Sequence, residues 1–185
     1  MNWSGAACGS RRTDMQMPYD RIMQNAYIVN DIEAAAHRWS KTFGIGPFVH
    51  FGRIDLDVTH RGVERKVAVS AALAWAGETQ VELVQQLNDS PSAYRDVFAA
   101  GEEGFHHVGV LCRDFDASVA HHAALGHEIS MIFGRPHGTT AYVDARPSIG
   151  CMIELYSDYA GIKDLYALVA QRAAQWDGRE VIVHP

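Results

Sequence analysis

Basic charge is scarce in this chain. Lysine and arginine total 16 against 22 aspartates and glutamates, a net charge of −6. Without a basic surplus there is nothing to neutralise a phosphate backbone, so nucleic-acid binding is excluded. Thiols are scarce too: Cys8, Cys112 and Cys151 are the only three cysteines, and no two stand at a C-x-x-C spacing. An odd and sparse set does not make a disulfide framework, and the reading is a reducing, cytoplasmic compartment. No apolar run reaches the roughly 18 residues of a membrane span. Arg11 and Arg12 are not followed by an apolar stretch, so residues 1–20 read as a flexible leader and not as a secretory signal. At 185 residues, 48% of them hydrophobic, what remains is one globular unit or two very small ones.

What the sequence does have is an internal repeat. Gln24 to Gly44 and His107 to Gly126 share a layout: a polar residue, a short apolar run, an aspartate seven positions on (Asp31, Asp114), an alanine-rich stretch and a glycine. Tyr27-Ile28-Val29 and Val108 to Leu111 suit buried strands. Asp31 and Asp114 can cap the helices that follow, and Gly44 and Gly126 suit the left-handed residue that ends them. In the first helix Ile32, Ala35, Ala36, Trp39 and Phe43 fall on one face; in the second, Phe115, Val119 and Ala123 do so less cleanly. Short strands are expected at 47–54, 66–76 and 79–87, and again at 129–134, 139–144 and 149–156, with Gly62, Ala76-Gly77, Gly134 and Gly150 as turns.

The expected fold class is therefore α+β. Two βαβββ modules, 21–88 and 106–157, form a curved mixed sheet around a shared cleft. Neither is long enough to bury both faces of its own sheet. The linker 89–105 reads as carrying a short helix capped by Ser90, with Tyr94, Val97 and Phe98 inward. Residues 158–185 read as a C-terminal helix and tail, with Leu165, Leu168, Val169 and Trp176 on one side.

The repeat sets polar residues at matching positions. Gln24 and His107 open the first strand of each half; Glu82 and Glu154 sit inside the last. A carboxylate within a run of branched apolar residues is costly to bury unpaired. Strand alternation resolves this if Val81, Leu83, Ile153 and Leu155 face the helices and both glutamates face the cleft. Gln24, Glu82, His107 and Glu154 then converge as donors for a divalent ion: Zn²⁺, Ni²⁺, Co²⁺ or Mn²⁺. Gln24 can equally serve as a hydrogen-bonding strand end. Met152, Tyr156, His50 and His137 are candidate walls of a substrate pocket. His106, next to His107 in a strand, is read as structural and facing away. Arg53, Arg65, Lys66 and Arg135 are surface charges or holders of an anionic tail.

On these residues the chain resembles the vicinal oxygen chelate superfamily, which includes glyoxalase I, methylmalonyl-CoA epimerase, extradiol dioxygenases and bleomycin-resistance proteins. The stretch from Val81 to Asp114 is most similar to the epimerases, through Val81-Glu82-Leu83, Asp89-Ser90-Pro91 and Gly104 to His107. The ligand set Gln, Glu, His, Glu instead resembles some glyoxalases, since Gln24 stands where epimerase-like members have histidine. The resemblance implies a metal-dependent isomerase, epimerase or lyase that removes a proton next to a carbonyl. Glu154 is the favoured base and Glu82 a partner base or ligand. The implied substrate is an acyl-CoA or a small oxo-acid, and a homodimer is a family expectation. The alternatives are a non-catalytic resistance-type binding protein and, third, a ring-cleaving dioxygenase.

Overall fold

The computed structural model describes residues 17, 19–134 and 138–185. The expected leader, apart from Met17, Tyr19 and Asp20, lies outside the described residues, as do Arg135 and His137.

The two modules are present. The first comprises β1 (Ile22–Ile28), α1 (Ile32–Phe43), β2 (Phe48–His60), β3 (Val63–Ala76) and β4 (Thr79–Gln86). The second comprises β5 (Gly104–Leu111), α2 (Phe115–Ala124), β6 (Glu128–Phe133), β7 (Thr140–Asp144), the single-turn α3 (Arg146–Ile149) and β8 (Met152–Tyr156). Helix α4 (Ala160–Gln175) and a two-residue β9 (Ile182–Val183) follow.

Both long helices start as the repeat implies. The Asp31 carboxylate accepts from Ala34 N at 2.9 Å, and Asp114 accepts from Ala117 N at 2.9 Å. Each occupies a free N–H of a first turn. Gly44 ends α1 at φ 65°, where a side chain would be strained.

The sheet order is β3-β4-β1-β5-β8-β7-β6-β2-β9, and β2 also pairs with β3. That extra pairing closes eight strands into a barrel, with β9 added on β2. The two halves join twice. β1 runs antiparallel to β5, and Val58–His60 of β2 pair with Met131–Phe133 of β6. Within each half the first strand lies parallel to the last, β1 to β4 and β5 to β8. Closure leaves no bare edge along most of the sheet.

Alternation separates inside from outside. Val81 and Leu83 pack with Ile32, Ala35 and Ala36 of α1. Ile153 and Leu155 pack with Phe115 and Val119 of α2. The interior core gathers Ile28, Val58, Val67, Val69, Val84, Met131 and Tyr142.

Several expectations are corrected. Strands β2 and β3 are longer than read, because residues 55–60 alternate between solvent and core. The last strand starts at Met152 and not at 149, because Arg146–Ile149 form a helical turn. The linker is a run of turns, and its cap is Ser92: Arg95 N donates to Ser92 Oγ at 3.1 Å. Ser90 instead offers its carbonyl to Gln86. Helix α4 buries Ile162, Tyr166 and Val169, and Trp176 lies past its end, stacked over Gly46.

Candidate metal centre

The strands β4, β1, β5 and β8 are consecutive neighbours, and each carries one of the four matched residues. The register shows the pseudo-symmetry directly. Across the β1–β5 seam Gln24 faces Gly109 and Ala26 faces His107. Glu82 pairs with Ala26, and Glu154 pairs with Gly109. Each glutamate thus stands beside the residue two places after its module's first donor.

Glu82, His107 and Glu154 each place one donor atom within 4.8 Å of the others. His107 Nε2 lies 2.8 Å from Glu154 Oε2 and 3.3 Å from Glu82 Oε2. Neither contact has the geometry of a directed hydrogen bond, and His107 Nε2 and Glu82 Oε2 are buried without such a partner. Buried atoms are almost always partnered, and an imidazole nitrogen flanked by two carboxylates fits a divalent cation. Burial opposes charge on His107, but the negative charge of Glu154 and Glu82 overcomes it and raises the pKa to about 9. Burial raises that of Glu82, against the pull of His107.

Gln24 reaches this trio through Tyr156. The Tyr156 hydroxyl lies 2.5 Å from Glu154 Oε2 and 2.9 Å from the Gln24 amide. A phenol has one proton, and the carboxylate is the stronger acceptor. Turning the Gln24 amide so that its NH₂ donates to the Tyr156 oxygen satisfies the second contact. The Gln24 carbonyl then faces the Gln80 amide at 3.5 Å, and a matching turn of Gln80 lets its Nε2, otherwise without a partner, donate to it. Gly109 makes room for this group: a Cβ there would sit 2.8 Å from Gln24 Oε1 and 3.2 Å from the Tyr156 ring.

His106 does not face away. The pairing of β5 with β1 skips from His107 opposite Ala26 to Phe105 opposite Tyr27, which leaves His106 as an unpaired bulge residue. A bulge turns successive side chains towards one face. His106 and His107 are therefore both fully buried, and both pack on the Tyr142 ring, at 6.0 and 5.1 Å. His106 Nε2 lies 3.0 Å from Ala93 O and its Nδ1 lies 2.8 Å from His107 Nδ1. Burial, with the His107 charge, lowers the His106 pKa to about 3. The doubled histidine was the only sequence signal for this arrangement.

The two glutamates of the trio and Tyr156 open on a cavity of about 240 Å³ inside the barrel. Apart from Thr140, its other walls are apolar or aromatic, among them Phe51, Ile54, Leu73, Tyr94, Phe133 and Tyr142. Of the other pocket candidates, Met152 is buried on the Glu154 face but is not a wall. His50 is not a wall either: it hydrogen-bonds Ser70 Oγ at 2.8 Å and lies beside His184. Arg53 pairs with Asp55 and Lys66 with Asp57, all four exposed on the outside of the barrel.

The structure is a closed sheet of two βαβββ modules around an interior Glu-His-Glu cluster that could hold a metal ion. Residues 23–142 match the glyoxalase/bleomycin resistance protein/dioxygenase superfamily, and the chain belongs to it. No curated protein matches the chain. Solved structures share the fold at low identity. Methylmalonyl-CoA epimerase from Mycobacterium tuberculosis is 14% identical at a TM-score of 0.51, over 82% of this chain and 97% of that one. A hypothetical protein from Bacillus halodurans is 18% identical at a TM-score of 0.52, over 76% and 95%. A variant of the Streptomyces coelicolor epimerase in complex with 2-nitronate-propionyl-CoA is 18% identical at a TM-score of 0.51, again over 76% and 95%.

Proposed function

We propose that this chain is a metal-dependent isomerase, epimerase or lyase that moves a proton at the carbon next to a carbonyl. The observation that carries this reading is the pair of unpartnered buried atoms, His107 Nε2 and Glu82 Oε2, which meet behind the wall that Glu82 and Glu154 give to a largely apolar cavity. Glu82, His107 and Glu154 would hold the ion, with Gln24 as a fourth donor if its amide swings from Tyr156. A divalent cation there would polarise a substrate carbonyl and so acidify the neighbouring C–H.

The chain's own groups divide the remaining work. Glu154 is clamped by the Tyr156 hydroxyl, which suits it to hold. Glu82 also lines the cavity, and no hydrogen-bond donor clamps its Oε2, which suits it to be the weaker ligand and to take the proton. We therefore favour Glu82 over Glu154 as the base, the opposite of the order read from the sequence. The apolar walls exclude water and seat the body of an acyl group. An acyl-CoA whose acyl end enters the cavity, or a small oxo-acid, fits this shape.

The other readings fit less well. A plain binding cavity has no reason to tolerate an imidazole and a carboxylate oxygen buried without partners. A two-histidine oxygenase centre needs a second free imidazole, but both nitrogens of His106 are already engaged. Pairing of two chains is a family expectation, and the four donors here come from one chain.

The test is exchange of the substrate α-proton into D₂O across a panel of acyl-CoA thioesters and 2-oxo-acids. Wild type loaded with a divalent metal is expected to exchange at least one of them. Glu82→Gln should lower that rate by about 10²–10⁴-fold while the fold and the bound metal persist. Undiminished exchange in both Glu82→Gln and Glu154→Gln, with metal retained, would overturn the assignment.

A further inference from the structure

We propose that His106 is a positioning residue that fixes which nitrogen of His107 faces the two glutamates; this rests on reading Glu82, His107 and Glu154 as a metal centre. The argument is one of proton placement along a buried line of atoms. His106 Nε2 lies 3.0 Å from the Ala93 carbonyl oxygen. A carbonyl only accepts, so that nitrogen carries a hydrogen. His106 Nδ1 lies 2.8 Å from His107 Nδ1. Two ring nitrogens that close share one proton, so one of them is bare.

Placing the shared proton on His106 makes that ring a cation. It would sit fully buried, with Tyr94 and Tyr142 against it and both glutamates on the far side of His107. An unpaired buried charge is the expensive alternative. The proton therefore resides on His107 Nδ1, which donates to His106 Nδ1. His107 Nε2 is then the nitrogen left to bind at the centre. Partners on the far nitrogen of a ligating histidine commonly fix its tautomer and orientation. Here that partner is the preceding residue, brought inside by the bulge, and the Ala93 carbonyl of the linker anchors it. The relay thus couples the 89–105 segment to the site.

The experiment uses the whole chain with ¹⁵N-labelled histidine, read by long-range ¹H–¹⁵N NMR and by Zn²⁺ competition titration. His107 Nδ1 and His106 Nε2 should be protonated, and His106 Nδ1 bare, with or without Zn²⁺. His106→Phe keeps an aromatic ring but offers no acceptor, and should weaken Zn²⁺ binding by about 10–100-fold. His106→Gln keeps an acceptor and should recover most of that loss. A proton found on His106 Nδ1, or wild-type Zn²⁺ affinity in a folded His106→Phe, would overturn the proposal. Failure of the metal reading is a separate result, namely wild type that takes up no Zn²⁺. The NMR assignment on the metal-free chain decides the relay in that case, and also if His106→Phe does not fold.

Discussion

Single atoms set the chemistry of this site, and the sequence shows some of them more readily than others. Glu82 and Glu154 were legible because a carboxylate inside a branched apolar run demands an explanation, and alternation supplies it. Alternation misplaces His106 because a bulge breaks that alternation, and the doubled histidine alone does not mark a bulge. Tyr156 was legible as a wall but not as the hydroxyl between Gln24 and Glu154. Removing that hydroxyl in Tyr156→Phe leaves buried polar groups short of a partner. It should cost about 1–3 kcal/mol, measured by urea unfolding. Gly109→Ala pushes a methyl into Gln24 and the Tyr156 ring. It should destabilise the fold by about 1–3 kcal/mol and weaken metal binding, read by the same melts and a Zn²⁺ titration.

Among the elements, those with a strong local signal were found where expected. The helices α1 and α2 begin at Asp31 and Asp114 because a carboxylate three residues before a free N–H is a purely local device. Asp31→Ala should therefore cost about 1 kcal/mol, seen as a lower urea midpoint with an unchanged slope. The C-terminal half of β2 was missed because its apolar residues alternate with Arg53, Asp55 and Asp57, and the polar half reads as loop. Helix α2 has the weaker face the sequence implies: none of its residues is fully buried, and its contact with the sheet runs through the partly buried Phe115 and Val119. The linker took no helix because its residues serve tertiary partners instead. Ser92 Oγ donates to Gln86 Oε1 at 2.7 Å, and the Tyr94 and Tyr142 hydroxyls meet at 3.0 Å.

Closure belongs to the whole molecule, and no repeat in the sequence announces how its two halves meet. The second seam is pinned outside the barrel by charge. Arg61 contacts Asp96 at 2.9 Å, Asp144 at 3.0 Å and Glu128 at 3.3 Å, and Asp144 also pairs with Arg146 at 2.7 Å. The Arg146 hydrogen bond, helped by Arg61, lowers the Asp144 pKa to about 2. A depressed carboxylate stabilises the fold above its unfolded pKa of about 4 and loses that contribution as pH falls through about 2. Asp144→Asn should thus cost on the order of 1 kcal/mol at pH 7, after allowing for the half-exposed arginines. The difference from wild type should vanish by about pH 2, as a series of thermal melts would show.

The proposed function requires Glu82, His107 and Glu154 to converge on one divalent cation. Isothermal titration of the metal-free protein with Zn²⁺, Ni²⁺, Co²⁺ and Mn²⁺, checked by elemental analysis, tests it most directly. One ion per chain is expected for at least one of the four metals, with binding lost in His107→Ala and sharply weakened in Glu154→Gln. No stoichiometric uptake of any of them by folded wild type, or equal uptake by folded His107→Ala, would contradict it.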